Sequence, residues 1–217
     1  MYCTSCNEAC VKRGLRNNIQ QYYCKMCCKY QRAQYLRNRI TAATKTNLIA
    51  LHKEGLGIRS IARYFKMSAS SVVRFIMKVA GKLGKPLANE PHRRYEVDEL
   101  CTYIGNKVNR IWIAYAYCRE SGSVVDFVIG TRSKMSLQPL IDVLLHSAPK
   151  TIFTDKHQTY TTLIPKSIHS TERRSTNHIE RMNLTLRTHL KRLNRRTICF
   201  SKSVAMLQAC LMIYFFG

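Results

Sequence analysis

A chain of 217 residues with 46% hydrophobic side chains can bury one large core or two to three small ones, and 36 Lys+Arg against 12 Asp+Glu leave a formal net charge of +24. That excess makes a polyanion the expected partner, bound with strong salt dependence. Residues 1–94 carry 19 basic and 3 acidic side chains and residues 95–217 carry 17 and 9, so a metal site built from acids belongs in the second half.

Met1-Tyr2-Cys3 runs straight into a cysteine cluster instead of an apolar leader. Ten cysteines without an export signal predict a reducing compartment in which thiolates serve metals, so a cytoplasmic protein is expected. Cys3-x-x-Cys6 and Cys24-x-x-Cys27, with a spacer in the high teens, have the spacing of a tetrahedral zinc ribbon holding a structural Zn²⁺. Cys10 is spare, and Cys28 competes with Cys27 as the fourth ligand. Residues 1–40 are assigned to this module.

From Thr44 to Ala80 the apolar residues recur at helical spacing, with Gly55-Leu56-Gly57 ending a first helix. Ile61, Phe65, Met67, Val72 and Phe75 match the buried positions of a helix-turn-helix, Ala62 sits at the close crossing, and Ser68 is the expected N-cap of the recognition helix. Lys66 occupies the turn position that usually favours glycine. Ser70, Ser71, Arg74 and Lys78 are then the residues offered to DNA. Residues 41–80 form this domain, and the Gly-, Pro- and cation-rich stretch 81–94 reads as a linker.

In residues 95–217 three strands are predicted, at Tyr95–Cys101, Asn109–Cys118 and Ser123–Ile129. A helix over Met135–His146 follows, then a short buried strand from Thr151 that ends at Asp155. Three antiparallel strands, a helix and a parallel-type strand make the order of a ribonuclease H-like fold. The whole is therefore an α+β, multidomain chain: zinc ribbon and helix-turn-helix, then a ribonuclease H-like α/β catalytic domain. In that outline Asp98, inside the first strand, and Asp155, closing the fourth, come together. Glu96 and Glu99 are expected on the opposite sheet face.

A last basic helix is predicted from about Thr176 to Arg195. Ile179, Met182, Leu186, Leu190 and Leu193 form its inner stripe; Asn177, Glu180, Leu184, Arg187 and Lys191 lie beside it. Glu180 is thereby placed to reach the two aspartates, although Asn177-x-x-Glu180 is also the spacing of a capping box. Arg181, Arg187 and Lys191 are suited to phosphates. The apolar run Val204–Phe216, interrupted by Gln208, is too short to span a bilayer, and no membrane partner is expected.

At these residues the chain resembles transposases of the insertion-sequence-one family, within the DDE superfamily. The resemblance rests on Glu96-Val97-Asp98-Glu99 with Tyr103-Ile104-Gly105, on Thr154-Asp155, and on Asn177-His178-Ile179-Glu180-Arg181-x-Asn183-Leu184-x-Leu186-Arg187-x-His189-Leu190, continuing through Arg195-Arg196-Thr197 and Phe200-Ser201-Lys202-Ser203. Lys156 departs from the small residue that members commonly carry after the second aspartate. The resemblance implies that Asp98, Asp155 and Glu180 are a catalytic triad holding two Mg²⁺ (or Mn²⁺) ions about 3.5–4 Å apart. It implies binding of double-stranded DNA at terminal inverted repeats, cleavage there, attack of the freed 3′ hydroxyl on target DNA, and a homo-oligomer on two element ends. A non-catalytic DNA-binding regulator and a structure-selective nuclease on the same fold are the competing expectations.

Overall fold

The computed structural model describes residues 1–32, 41–86, 90–172 and 175–217; the last part of the expected zinc module, 33–40, and the middle of the expected linker, 87–89, lie outside the described residues. The chain divides into two compact units, Met1–Thr41 and Ala42–Gly217.

The first unit is an antiparallel meander of β1 (Val11–Arg16), β2 (Ile19–Cys24) and β3 (Lys29–Arg32) in that order. Asn17 and Asn18, both at positive φ (54° and 58°), make the two-residue hairpin between the paired Arg16 and Ile19, because two left-handed residues match the twist of the flanking strands. Every residue of β1 is exposed, and Cys3, Cys24 and Gln31 are the buried residues among those described here. An apolar core does not hold this unit together.

The second unit begins with three short helices, α1 (Ala42–Lys53), α2 (Ile58–Tyr64) and α3 (Ala69–Ala80). Ser68 caps α3, its side chain accepting from the Ser71 amide at 3.1 Å, which satisfies one of the orphan donors of the first turn. Lys66 takes the left-handed turn position at φ 50° without a glycine. Ile61 and Val72 are fully buried, whereas Phe65, Met67 and Phe75 are half-buried against the same core.

The five-stranded sheet has β4 (Arg94–Tyr103) at its centre, flanked by β5 (Arg110–Cys118) and β6 (Ser123–Gly130) on one side and by β7 (Thr151–Phe153) and β8 (His169–Ser170) on the other, in the order β6-β5-β4-β7-β8. The first three strands pair antiparallel and the last two join in parallel. Helices α4 (Lys134–His146) and α5 (Gln158–Leu163) cover the face built from Tyr95, Val97, Ala114 and Ala116. The small β5 residues on this face make room for Leu137, Leu140, Ile141 and Leu144 of α4.

Leu100, Ile113, Tyr115 and Phe127 line the other face, packed with α6 (Asn177–His189) and α7 (Val204–Phe216). Apart from the exposed Gln208 the α7 sequence is apolar all round, and Leu207, Ala209, Cys210, Leu211 and Ile213 are all buried. A helix of that kind needs partners all round, and α7 has them in the sheet and in α1 and α3. None of the described helices is long and apolar enough to cross a membrane. Helices α1–α3 and the strands of the sheet, which lie on either side of positions 81–94 in the sequence, share this one core.

The helix predicted to Arg195 ends at His189: Leu190 turns to φ −100°, ψ 95°, and a 3-10 turn follows at Lys191–Leu193. Leu190 and Leu193 are both buried by this break, and Arg187 donates to the Leu193 carbonyl at 3.0 Å. Against the same end of α6 sits Gly55, at φ +82°; a Cβ there would lie 1.8 Å from the His189 carbonyl oxygen. Gly55→Ala is expected to destabilise the second unit by more than about 2 kcal/mol, combining left-handed strain with a backbone clash. A urea unfolding midpoint close to that of the parent chain would contradict it.

Candidate functional site

Cys3, Cys6, Cys24 and Cys27 bring their sulfurs within 4.8 Å of one another. The Ser5 and Cys27 amides donate to the Cys3 and Cys24 sulfurs, each at 3.4 Å, as in knuckles that present two thiolates from one turn. Gln31 reaches across from β3 to donate to the Cys3 sulfur at 2.8 Å. Four thiols so close cannot all ionise without a cation: the Ser5 amide draws the Cys3 thiol down to about 6, while hydrogen bonding with Cys27 pushes Cys6 up to about 12. This all-sulfur donor set fits a closed tetrahedral zinc site. Cys28, at φ 52° and exposed, turns its sulfur to the Lys25 carbonyl, so Cys27 is the fourth member.

In the second unit the parallel register pairs Glu96 with Phe153, which sets Asp98 level with Asp155 just beyond the end of β7. Past Glu96 the β7 side of β4 has no strand partner among the described residues. Carboxylates from both faces of β4 can therefore meet round this open edge. Asp98, Asp155 and Glu99 do so, offering oxygens within 4.8 Å of one another. The face assignment expected from the sequence needs correction. Glu96, two residues from Asp98, shares its face, as the side-chain period of two requires; Glu99 alone is opposite, and its carboxylate still arrives.

Asp98 is held by a relay from the sheet to α6: Tyr115 donates to Asn183 Oδ1 at 2.9 Å, and Asn183 Nδ2 donates to Asp98 Oδ2 at 2.7 Å. Burial, reinforced by the charges of Glu99 and Asp155, pushes the Asp98 carboxyl up to about 6. An anion raised in this way is stabilised by a hard cation, and an all-oxygen set is what Mg²⁺ or Mn²⁺ takes. The residues fit the group.

Glu180 lines the same groove of about 700 Å³ as Asp98, Glu99, Asn183, Arg187 and Arg195, but it is outside the close carboxylate cluster. Its Oε1 accepts from Thr176 Oγ1 at 3.0 Å. Thr176 is the N-cap of α6 and makes no side-chain cap bond, so Asn177 and Glu180 do not form the capping box that their spacing allowed. Of the α6 cations expected to meet phosphates, Arg187 lines the groove and is half-buried; Arg181 and Lys191 are exposed outside its lining. Asn194 and Arg195, just after the 3-10 turn, take that place. Asn194 stood in no motif and Arg195 only in the block Arg195-Arg196-Thr197, with no role attached, because they face the groove only once the helix stops at His189.

On α3, Ser70, Arg74 and Lys78 are exposed one turn apart and Ser71 is half-buried. The Ser70 and Ser71 hydroxyls lie 3.0 Å and 2.8 Å from that of Ser68, so they belong to the cap as well as to the surface.

Two further groups escaped the sequence reading. Glu96 is wholly buried and accepts from Arg119 Nε at 2.6 Å and from the Ile179 amide at 2.8 Å, with His178 Nδ1 at 2.6 Å. It ties the first turn of α6, and with it Glu180, to the central strand. Arg132 lies against both Glu99 and Asp155. Long-range ion pairs of this kind leave no local spacing to detect.

The family model of IS1 transposases matches residues 94–215. Among curated proteins, the insertion element iso-IS1n protein InsB of Shigella dysenteriae is 38% identical over 109 residues, 50% of this chain and 83% of that protein. The insertion element IS1 protein InsB of Shigella flexneri is 38% identical over 111 residues, 51% of this chain and 85% of that protein. A cryo-electron-microscopy structure of the simian T-cell lymphotropic virus intasome in complex with PP2A regulatory subunit B56 gamma is 18% identical with a TM-score of 0.38, over 77% of this chain and 66% of that one, a likeness too low to bear on the fold.

Proposed function

Because the chain belongs to the IS1 transposase family, we propose that it binds the double-stranded DNA ends of its insertion sequence and carries out divalent-metal-dependent strand cleavage and strand transfer. The observation that supports this most is the meeting of Asp98 and Asp155 at the open edge of β4, beside a groove that also bears Glu180 and the cations Arg187 and Arg195. The strand order, with antiparallel β4–β6 and parallel β7 and β8, agrees with a ribonuclease H-like catalytic domain.

When bound, paired Mg²⁺ or Mn²⁺ ions would supply activation of the attacking oxygen and stabilisation of the departing 3′ oxygen. Asp98 and Asp155 would hold the ions, the former aligned by Asn183. Glu180, now bonded to Thr176, would complete the set. Arg187 and Arg195 neutralise phosphates along the groove, while Arg74 and Lys78 on α3 grip the duplex and Ser70 reaches base edges in helix-turn-helix fashion. The zinc knuckles add basic contacts to the ends. Acting on two ends calls for a homo-oligomer, and the substrate places the protein with the nucleoid in the cytoplasm.

A second reading, a DNA-binding regulator without catalysis, is favoured by Glu180 standing outside the close cluster. Incubation of the protein with Mg²⁺ or Mn²⁺ and a labelled element end separates the two. Cleavage and joining are expected, falling at least about a hundredfold, roughly 3 kcal/mol of barrier, in Asp155→Ala and Glu180→Ala with DNA binding retained. Full activity in either variant removes the assigned roles; cleavage without joining or end preference identifies a structure-selective nuclease.

A further inference from the structure

Arg132, two residues beyond β6, presents one edge of its guanidinium to two carboxylates. Its Nε and Nη2 donate to the two oxygens of Glu99 at 3.3 and 3.2 Å, and the same Nη2 reaches Asp155 Oδ2 at 3.3 Å. Its guanidinium carbon lies over the Trp112 ring, 4.7 Å from the centroid. The Arg132 carbonyl accepts from Thr159 Oγ1 at 3.3 Å. One residue further along α5, the Tyr160 hydroxyl is fully buried beside the Glu99 carboxylate. The two arms are unequal. The fork on Glu99 is bidentate and its carboxylate is almost wholly buried, with 1% of the side chain exposed; the arm on Asp155 is single and its partner is 43% exposed.

We propose, resting on the ion-site reading above, that Arg132 is an internal counter-ion which clamps Asp155 to Glu99 and releases Asp155 to an incoming divalent ion while keeping Glu99. A divalent ion bound at Asp155 Oδ2 would lie about 2.0–2.1 Å from that oxygen, and the guanidinium nitrogen now at 3.3 Å would repel it strongly at such range. The bidentate fork is the stronger hold, so the single arm yields. Glu99 is then a positioning residue, setting where Arg132 stands, and Arg132 sets how tightly the site takes its ion.

Trp112 is the chain's only tryptophan and reports the movement directly. Titrating zinc-loaded, full-length protein with Mg²⁺ is expected to produce a saturable change in Trp112 emission that tracks binding measured by calorimetry. Arg132→Gln is expected to bind Mg²⁺ about tenfold more tightly, since a like charge has left the site, and to lose the emission change. Calorimetric binding with flat wild-type emission, or equal or weaker binding in Arg132→Gln, overturns the clamp and leaves the ion site standing. Wild-type Mg²⁺ affinity in Asp155→Asn would instead overturn the ion-site reading itself. Because the emission titration needs only the wild-type chain, the clamp remains testable should Arg132→Gln fail to fold.

Discussion

Replacing Glu96 by alanine is expected to destabilise the second unit by about 3–5 kcal/mol, the usual cost of removing one partner from a buried ion pair. Glu96 is fully buried and its two oxygens answer three donors: Arg119, just past the end of β5, and His178 and the Ile179 amide in the first turn of α6. Without it the Arg119 side chain, only 18% exposed, keeps its cation–π contact with Phe153 at 3.8 Å and its bond to the Ser175 carbonyl, but has no anion. An α6 amide is orphaned at the same time, and such a donor left buried is costly by itself. Glu96→Gln keeps an acceptor for that amide and should cost clearly less. Urea denaturation of the two variants checks the order. A loss below about 1 kcal/mol in Glu96→Ala would show that α6 is seated by its apolar stripe alone. Since the same bond aims Glu180 at the groove, the stability loss should be accompanied by weaker strand cleavage.

How far this arrangement could be read from the sequence depends on the range of the interactions. The strands around Asp98 and Asp155, the α3 cap at Ser68 and the Cys-x-x-Cys pairs follow from period, turn chemistry and spacing, which are local. Glu99 was placed on the far face and set aside, because alternation says nothing of where a neighbouring strand ends. It is the stop of β7 at Phe153 that lets a carboxylate from the far face come round the edge. The end of α6 was equally hidden: no glycine or proline marks His189-Leu190. The break follows from burying Leu190 and Leu193 together and from Arg187 capturing the Leu193 carbonyl. The apolar run of α7 was weighed as a membrane span and dismissed, yet its lack of a polar face carried positive information. Such a helix joins what lies on both its sides, which is why α1–α3 and the sheet share one core across the segment 81–94.

Stripping zinc should have the largest effect of all, and it should be confined to one unit. In residues 1–32 the buried side chains are Cys3, Cys24 and Gln31, two of them members of the sulfur cluster and the third bonded to it. Three short strands with an exposed β1 cannot offset the chain entropy of some thirty ordered residues. In zinc modules of this kind the metal's apparent binding free energy, about 10–16 kcal/mol at neutral pH, is the folding free energy. A strong chelator should therefore collapse the amide resonances of β1–β3 to unfolded positions, and Cys6→Ser should do the same at limiting zinc while weakening recognition of the element end. The second unit, with its own two cores on either side of the sheet, should keep its resonances and its unfolding midpoint. Retention of the β1–β3 resonances in excess chelator would mean that something other than the thiolates orders this unit. Loss of the second unit as well would mean that its stability is not its own. Protonation leads to the same expectation, because thiolates must lose their protons to bind and zinc release in acid should unfold the first unit at a higher pH than the second.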